Sequence, residues 1–209
     1  MPRHIPAKFS TQGDRIRAIL ARKGMVRLSE FKEAGITATS VSRLEQEGTI
    51  VRLGRGLYQL SDAPYDPHHE LDEVAKLVPK GIICLVSALA FHDLTDRQPR
   101  RVWVALGTRD WRPRLSRPPV RYIHYAESRL RSHVDHHAIE GVEVPITNPA
   151  RTIVDLFKYR RTVGDDLAIE GLKEGLRTRK VNPALLYSIA EEARQLGVMR
   201  PYLEAFSHG

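Results

Sequence analysis

The sequence predicts an α+β chain: a small helical unit closed by a β-hairpin, then a mixed α/β domain with a helical C-terminus. Three observations carry this. The first sixty residues hold three short segments with helical spacing of apolar residues, each stopped by a glycine: Gly24, Gly35 and Gly48. Two β-rich runs, Ile50–Leu53 and Leu57–Leu60, then flank Gly54-Arg55-Gly56. Beyond SDAPYDP, residues 61–67 with their two prolines, strand-like and helix-like runs are mixed. The boundaries expected from this are a first domain over 10–62 and a second over 68–209.

Each element has a local reason. In QGDRIRAILARK (12–23), Ile16, Ile19 and Leu20 recur at helical spacing and Gly24 supplies the stop. Met25-Val26-Arg27 reads as an extended link. Ser29 precedes a second short helix, EFKEA, ended by Gly35. Thr37 is an N-cap for a third, running to about Glu47. After the hairpin, a helix over 68–77 is expected with Glu70, Asp72 and Glu73 on its outer face. IICLVSALAFHDL (82–94) reads as a buried helix starting near Leu85. Residues 101–106, 120–125 and 142–147 read as strands, joined between the first two by an arginine- and proline-rich loop. Asn148-Pro149 opens a helix with proline near N1, and two or three further helices fill 165–207.

The net charge of +8 is unevenly placed. Residues 1–63 hold 11 Lys/Arg against 6 Asp/Glu. Residues 97–131 hold ten basic residues, all arginine, against two acidic ones. Arginine suits bidentate phosphate contacts, so two separate basic blocks point to a polyanionic partner. The single cysteine, Cys84, excludes an internal disulfide and fits a reducing cytoplasm. The chain shows neither an apolar run of membrane-spanning length nor a signal-like N-terminus, so no membrane association is expected.

On a 100° wheel, Ala38, Val41, Leu44 and the stem of Glu45 share one side of the third helix. Thr39, Arg43 and Gln46 lie opposite, with Ser40 and Ser42 on the flanks. Small hydroxyls and one arginine on an outer face suit entry into a major groove. Helix, helix, helix, hairpin is the order of a winged helix-turn-helix. Arg52 and Arg55 would then take backbone phosphate or the minor groove from the wing. Tyr58 is placed in the hairpin's packing, with stacking on a sugar as the alternative. Arg109, Arg112 and Arg114, in the loop 109–117, would extend the phosphate footprint. Double-stranded DNA is the expected partner, with a log–log salt slope near −5 if about six phosphates are neutralised.

The stretch GTIVRLGRGLY resembles the N-terminal domain of AbiEi-type antitoxins, of the AbiE (type IV) toxin–antitoxin systems. SALAFHDLTDRQPRRVWVAL and ITNPARTIVDLF resemble the second domain of the same family. That resemblance implies a repressor of its own operon, and a partner gene for a nucleotidyltransferase-like toxin. It implies no catalytic residue.

Enzymatic chemistry finds little support. His68-His69 and HVDHH (133–137) are the densest histidine groups, but no HExxH, CxxC or other defined metal spacing occurs, and these read as solvated loop histidines. No phosphate-cradling glycine loop and no G-x-S-x-G is present. A metal-dependent nuclease would need carboxylates and a lysine on adjoining strands, and VWVAL and VRYIHY carry none. No cofactor, metal or catalytic residue is assigned. Three alternatives remain: a DNA-binding regulator outside any toxin pair, a metal-dependent nuclease, and a module that only sequesters a protein toxin. Arg151 and Asp155, one helical turn apart, form either a structural ion pair or a secondary functional candidate.

Overall fold

In the computed structural model, residues 11–64 and 66–207 are described. Residue 10, where the sequence places the start of the first domain, Tyr65 in the connecting segment and residues 208–209 lie outside them. The chain is a mixed α/β structure with two separate sheets.

The first sheet belongs to the N-terminal unit. Helix α1 (Gln12–Lys23) opens on a reciprocal cap: Thr11 Oγ1 accepts the Asp14 N–H at 3.2 Å, and the Asp14 carboxylate accepts the Thr11 N–H. Gly24 ends it at φ 67°. The extended link is in fact a strand, β1 (Met25–Arg27), followed by α2 (Leu28–Glu33) and α3 (Ala38–Gln46). Strands β2 (Ile50–Gly54) and β3 (Leu57–Leu60) form the hairpin. β1 pairs antiparallel with β3, Val26 opposite Tyr58, giving the order β1-β3-β2. Ile16, Leu20, Val26, Phe31, Ile36, Val41, Leu44, Ile50 and Tyr58 form one buried cluster. Tyr58 sits inside it, its ring 6.4 Å from that of Phe31.

The second sheet has the order β6-β5-β4-β8-β7: Val120–Tyr125, Val102–Gly107, Ile82–Ile83, Val142–Thr147 and Val134–Ile139. β5 and β6 are parallel, β4 is antiparallel to β5 and parallel to β8, and β7 is antiparallel to β8. Helix α5 (Leu85–Phe91) begins at Leu85 as expected, with residues 82–83 a short strand ahead of it. One correction arises here. The histidine-rich HVDHH lies almost wholly on edge strand β7, whose outward positions are polar because water covers them.

Side chains alternate across this sheet. Ile82, Trp103 and Ala105 face a helical layer of α5, α7 (Pro149–Lys158), α9 (Asp165–Arg177), α10 (Pro183–Glu192) and α11 (Leu196–Ser207). Two four-residue helices, α6 (Glu127–Leu130) and α8 (Arg160–Val163), complete the element order. Asn148 caps α7, its side chain accepting the Arg151 N–H at 2.9 Å, with Pro149 in the first turn. The fully buried Ile153, Val154, Leu156 and Phe157 hold α7 in the core, each stabilising by roughly 1.5–3 kcal/mol.

Ile83, Val102, Val104 and Leu106 face the other way, onto α4 (His69–Leu77) and, continuous with it, Met25 and Leu57 of the N-terminal unit. The two parts of the chain therefore share an apolar seam. Polar contacts reinforce it: the Arg27 guanidinium donates to the Lys76 carbonyl, and Gln59 Nε2 donates to Glu140 at 2.7 Å. Glu140 and Gly141 form the β7–β8 turn, both at positive φ. This turn presses so closely on α1 that a Cβ on Gly24 would stand 1.6 Å from the Glu140 carbonyl oxygen. Arrival of the turn also corrects the reading of α4. Glu70 is exposed, but Asp72 and Glu73 are buried. Burial foremost, then the neighbouring Glu140, pushes the Asp72 carboxyl up to about 8.

Candidate nucleic-acid interface

Helix α3 is held from below and open above. Val41 and Leu44 are buried, while Thr39, Ser42, Arg43 and Gln46 are exposed. Ala38, placed by the wheel with the inner residues, is exposed in the first turn. Thr37 caps the helix, accepting the Ser40 N–H at 3.2 Å, and its own N–H donates to Gln12 Oε1 at 3.1 Å. Ser40 Oγ lies 3.0 Å from Thr37 Oγ1, so this hydroxyl is drawn into the cap. Among the described residues Arg43 meets only Glu47, at 3.5 Å, with both side chains at least half exposed. Such a pair contributes little and releases its arginine readily to an anion.

The hairpin supplies the second group. Pairing of β2 with β3 shifts register between Arg52 and Gly54, and Gly56 turns at φ 69°. Arg52 Nε donates back to the Gly54 carbonyl at 3.1 Å. Arg55 is exposed at the turn and, among the described residues, has no ion-pair or hydrogen-bond partner.

Arg109, Arg112 and Arg114 occupy the connection from β5 to β6. Those strands are parallel, so the connection must cross the sheet from one end to the other. It does so without a helix. Leu115 packs into the apolar cluster that also holds α4 and Leu57, so the loop crosses the face that carries the N-terminal unit. Asp110 anchors its start, accepting from the Gly107 N–H at 3.0 Å and Lys80 Nζ at 2.8 Å. Tyr122 donates to the Pro113 carbonyl at 2.8 Å, and Arg112 reaches the His124 ring at 2.7 Å. All three arginines remain exposed. Between Arg109 and Arg112 stands Trp111, 79% exposed. The sequence reading passed over this residue, although an aromatic inside RDWRPR is the pattern of a stacking platform within a basic strip.

Arg151 and Asp155 lie elsewhere, sealed inside the helical layer. Arg151 Nε donates to Asp155 at 3.2 Å and Nη1 to the Leu130 carbonyl at 2.9 Å, also reaching the Ser132 carbonyl. Its guanidinium lies over the Tyr125 ring. Burial raises the Asp155 carboxyl, against the pull of Arg151. This is a structural ion pair. The lone Cys84 is also buried, its thiol raised by desolvation. None of these three residues is open to a substrate.

Residues 14–61 match the model of the family described as transcriptional regulator, AbiEi antitoxin. The AbiEi match thus runs from the first turn of α1 to the end of β3, and it contains α3 and the hairpin arginines. That family is regulatory. The comparison with curated proteins found no match. Among solved structures, the fold is similar to the crystal structure of the RV2827C protein from Mycobacterium tuberculosis, at TM-score 0.58 and 17% identity. The likeness covers 91% of this chain and 73% of that one, so it extends through the second sheet, beyond the AbiEi match. Among the described residues, no helix is long and apolar enough to cross a membrane.

Proposed function

We propose that the chain is a DNA-binding transcriptional repressor acting as the antitoxin of an AbiE-like operon. In this reading residues 10–62 are a winged helix-turn-helix and 68–209 an antitoxin-type domain. α3 enters the major groove of double-stranded operator DNA with Thr39, Ser42, Arg43 and Gln46, and Ser40 supports its first turn. Arg52 and Arg55 grip the adjoining backbone or minor groove from the wing. Arg109, Arg112 and Arg114 add phosphate contacts from the sheet face that carries the reader. The protein performs no catalysis, needs no cofactor for DNA binding, works in the cytoplasm of a bacterium, and counteracts a nucleotidyltransferase-like toxin encoded nearby.

One observation carries the reading: the AbiEi match falls on the segment whose helix presents exposed hydroxyls and an arginine above the buried Val41 and Leu44. A buried face fixes the helix, and an uncommitted polar face leaves base edges and phosphates as its natural partners. The test is a reporter driven by the DNA upstream of the chain's own reading frame. Expression of the chain lowers the signal, and the Thr39→Ala/Arg43→Ala variant restores it. A reporter indifferent to the wild-type chain would refute the repressor. Co-expression with the adjacent gene tests the antitoxin: growth arrest by that gene product is relieved by this chain, and unrelieved arrest removes the toxin pairing.

A further inference from the structure

We infer that His69, Asp72 and Glu140 form a structural site for a divalent transition-metal ion of the zinc type, at the seam between the N-terminal unit and the second sheet. The inference is independent of the DNA-binding reading.

His69 and Asp72 are three residues apart on the first turns of α4, and so share a face. Glu140 arrives from the β7–β8 turn, about seventy residues later in the chain. His69 Nδ1 lies 3.1 Å from Glu140 Oε2 and 3.9 Å from Asp72 Oδ1. One donor atom from each of the three lies within 4.8 Å of the others. Two carboxylates and an imidazole are a donor set that zinc accepts. Metal–ligand bonds of about 2.0–2.2 Å in a tetrahedron place donors roughly 3.4 Å apart, so the His69–Glu140 edge already fits and the Asp72 carboxylate must move inward.

A second observation sets this apart from an ordinary acidic cluster. Asp72 is fully buried, and its Oδ2 has no hydrogen-bond partner among the described residues. Its Oδ1 accepts the Glu73 N–H at 2.6 Å. A buried carboxylate oxygen beside a second carboxylate, with no donor aimed at it, is expensive unless a cation or a proton meets it. Glu140 is already oriented from outside the triad. Gln59 Nε2 donates to its Oε2 at 2.7 Å, and the Asp66 N–H donates to its Oε1 at 3.0 Å. Such outer hydrogen bonds are how protein sites aim their ligands. The side chains of Asp72 and Glu140 are at most 8% exposed, so no polymeric substrate reaches them. The site is structural, tying α4 to the turn on which Gly24 and β3 rest.

The test uses full-length protein stripped with a chelator, then titrated with Zn²⁺ against a chromophoric competitor. The wild type takes up one equivalent, with a rise in its thermal midpoint. His69→Gln and Asp72→Asn each weaken that equivalent by at least about 100-fold, more than loss of an outer partner alone, and abolish the thermal shift. His136→Gln, which removes the exposed imidazole paired with Glu143, leaves both unchanged. His69 is partly exposed, so its variant reports even if Asp72→Asn folds poorly. No stoichiometric uptake by the wild type, or uptake retained in His69→Gln, would overturn the site in favour of a shared proton.

Discussion

Arginine is used in opposite ways in two regions of this molecule. On α3 and the β2–β3 hairpin, Arg43, Arg52 and Arg55 are exposed, and their protein partners are one exposed glutamate, one carbonyl of their own hairpin, and none among the described residues. On α7, Arg151 is 2% exposed and bonds Asp155 and two backbone carbonyls, with an aromatic ring beneath it. The same side chain is left open to a partner in one region and is buried against a carboxylate and carbonyls in the other. Position in the sequence does not distinguish the two uses; what arrives from elsewhere in the chain does.

That contrast can be broken most forcefully at α7. Arg151→Met leaves Asp155 buried without its counter-charge, and should lower unfolding free energy by about 3–5 kcal/mol in denaturant titration. The double variant Arg151→Met/Asp155→Leu should recover most of this, because the uncompensated charge is gone. Both should bind DNA normally at temperatures where they are folded. A change in DNA affinity from the folded Arg151 variant would dissolve the distinction.

The seam between the regions is the next point. Gly24→Ala meets both a positive φ and the Glu140 carbonyl, and should destabilise by about 2–4 kcal/mol, measured by thermal unfolding. At the open region the effect shifts from folding to binding. Arg55→Ala should leave the thermal midpoint unchanged. It should weaken binding to upstream DNA by roughly 1–3 kcal/mol if Arg55 reads a base, or flatten the salt slope by about one if it meets only phosphate.

The smallest effect belongs to Glu30, which accepts from Lys23 Nζ at 2.7 Å and faces Lys76 of α4 across the seam. Burial alone would raise this carboxyl, but Lys23, the Arg27 N–H and Lys76 together hold it below its ordinary value. A depressed carboxyl stabilises the fold above the usual carboxylate range and loses that contribution as pH falls through it. Glu30→Gln should therefore lower stability by about 0.5–1 kcal/mol at neutral pH, with wild type and variant converging as pH drops below the carboxylate range.

Locally signalled features were legible in the sequence. Thr37, Asn148 and Pro149 sit where their capping chemistry requires, and the glycine-bounded hairpin closes as its composition indicates. Features made by distant pairing were not. β1 is three residues that become a strand only because β3 lies beside them some thirty residues later. β7 hid behind Asp135, His136 and His137, polar because it is an edge. Asp72 and Glu73 looked like a solvated face because the turn that covers Asp72 starts at Glu140. The same distance concealed the His69–Asp72–Glu140 triad, which has no motif spacing to display. Trp111 is legible in the sequence, since it lies between Arg109 and Arg112.

The open arginines and hydroxyls of the AbiEi-matching segment are proposed to bind DNA. The decisive quantity is the affinity of the full chain for a duplex from upstream of its own gene, measured by fluorescence anisotropy across salt concentrations. Binding should fall steeply with salt, with a log–log slope near −5 for about six phosphates neutralised, and should be weakened by Thr39→Ala/Arg43→Ala. Absence of binding at low salt, or a slope and affinity that the double substitution leaves untouched, would contradict it.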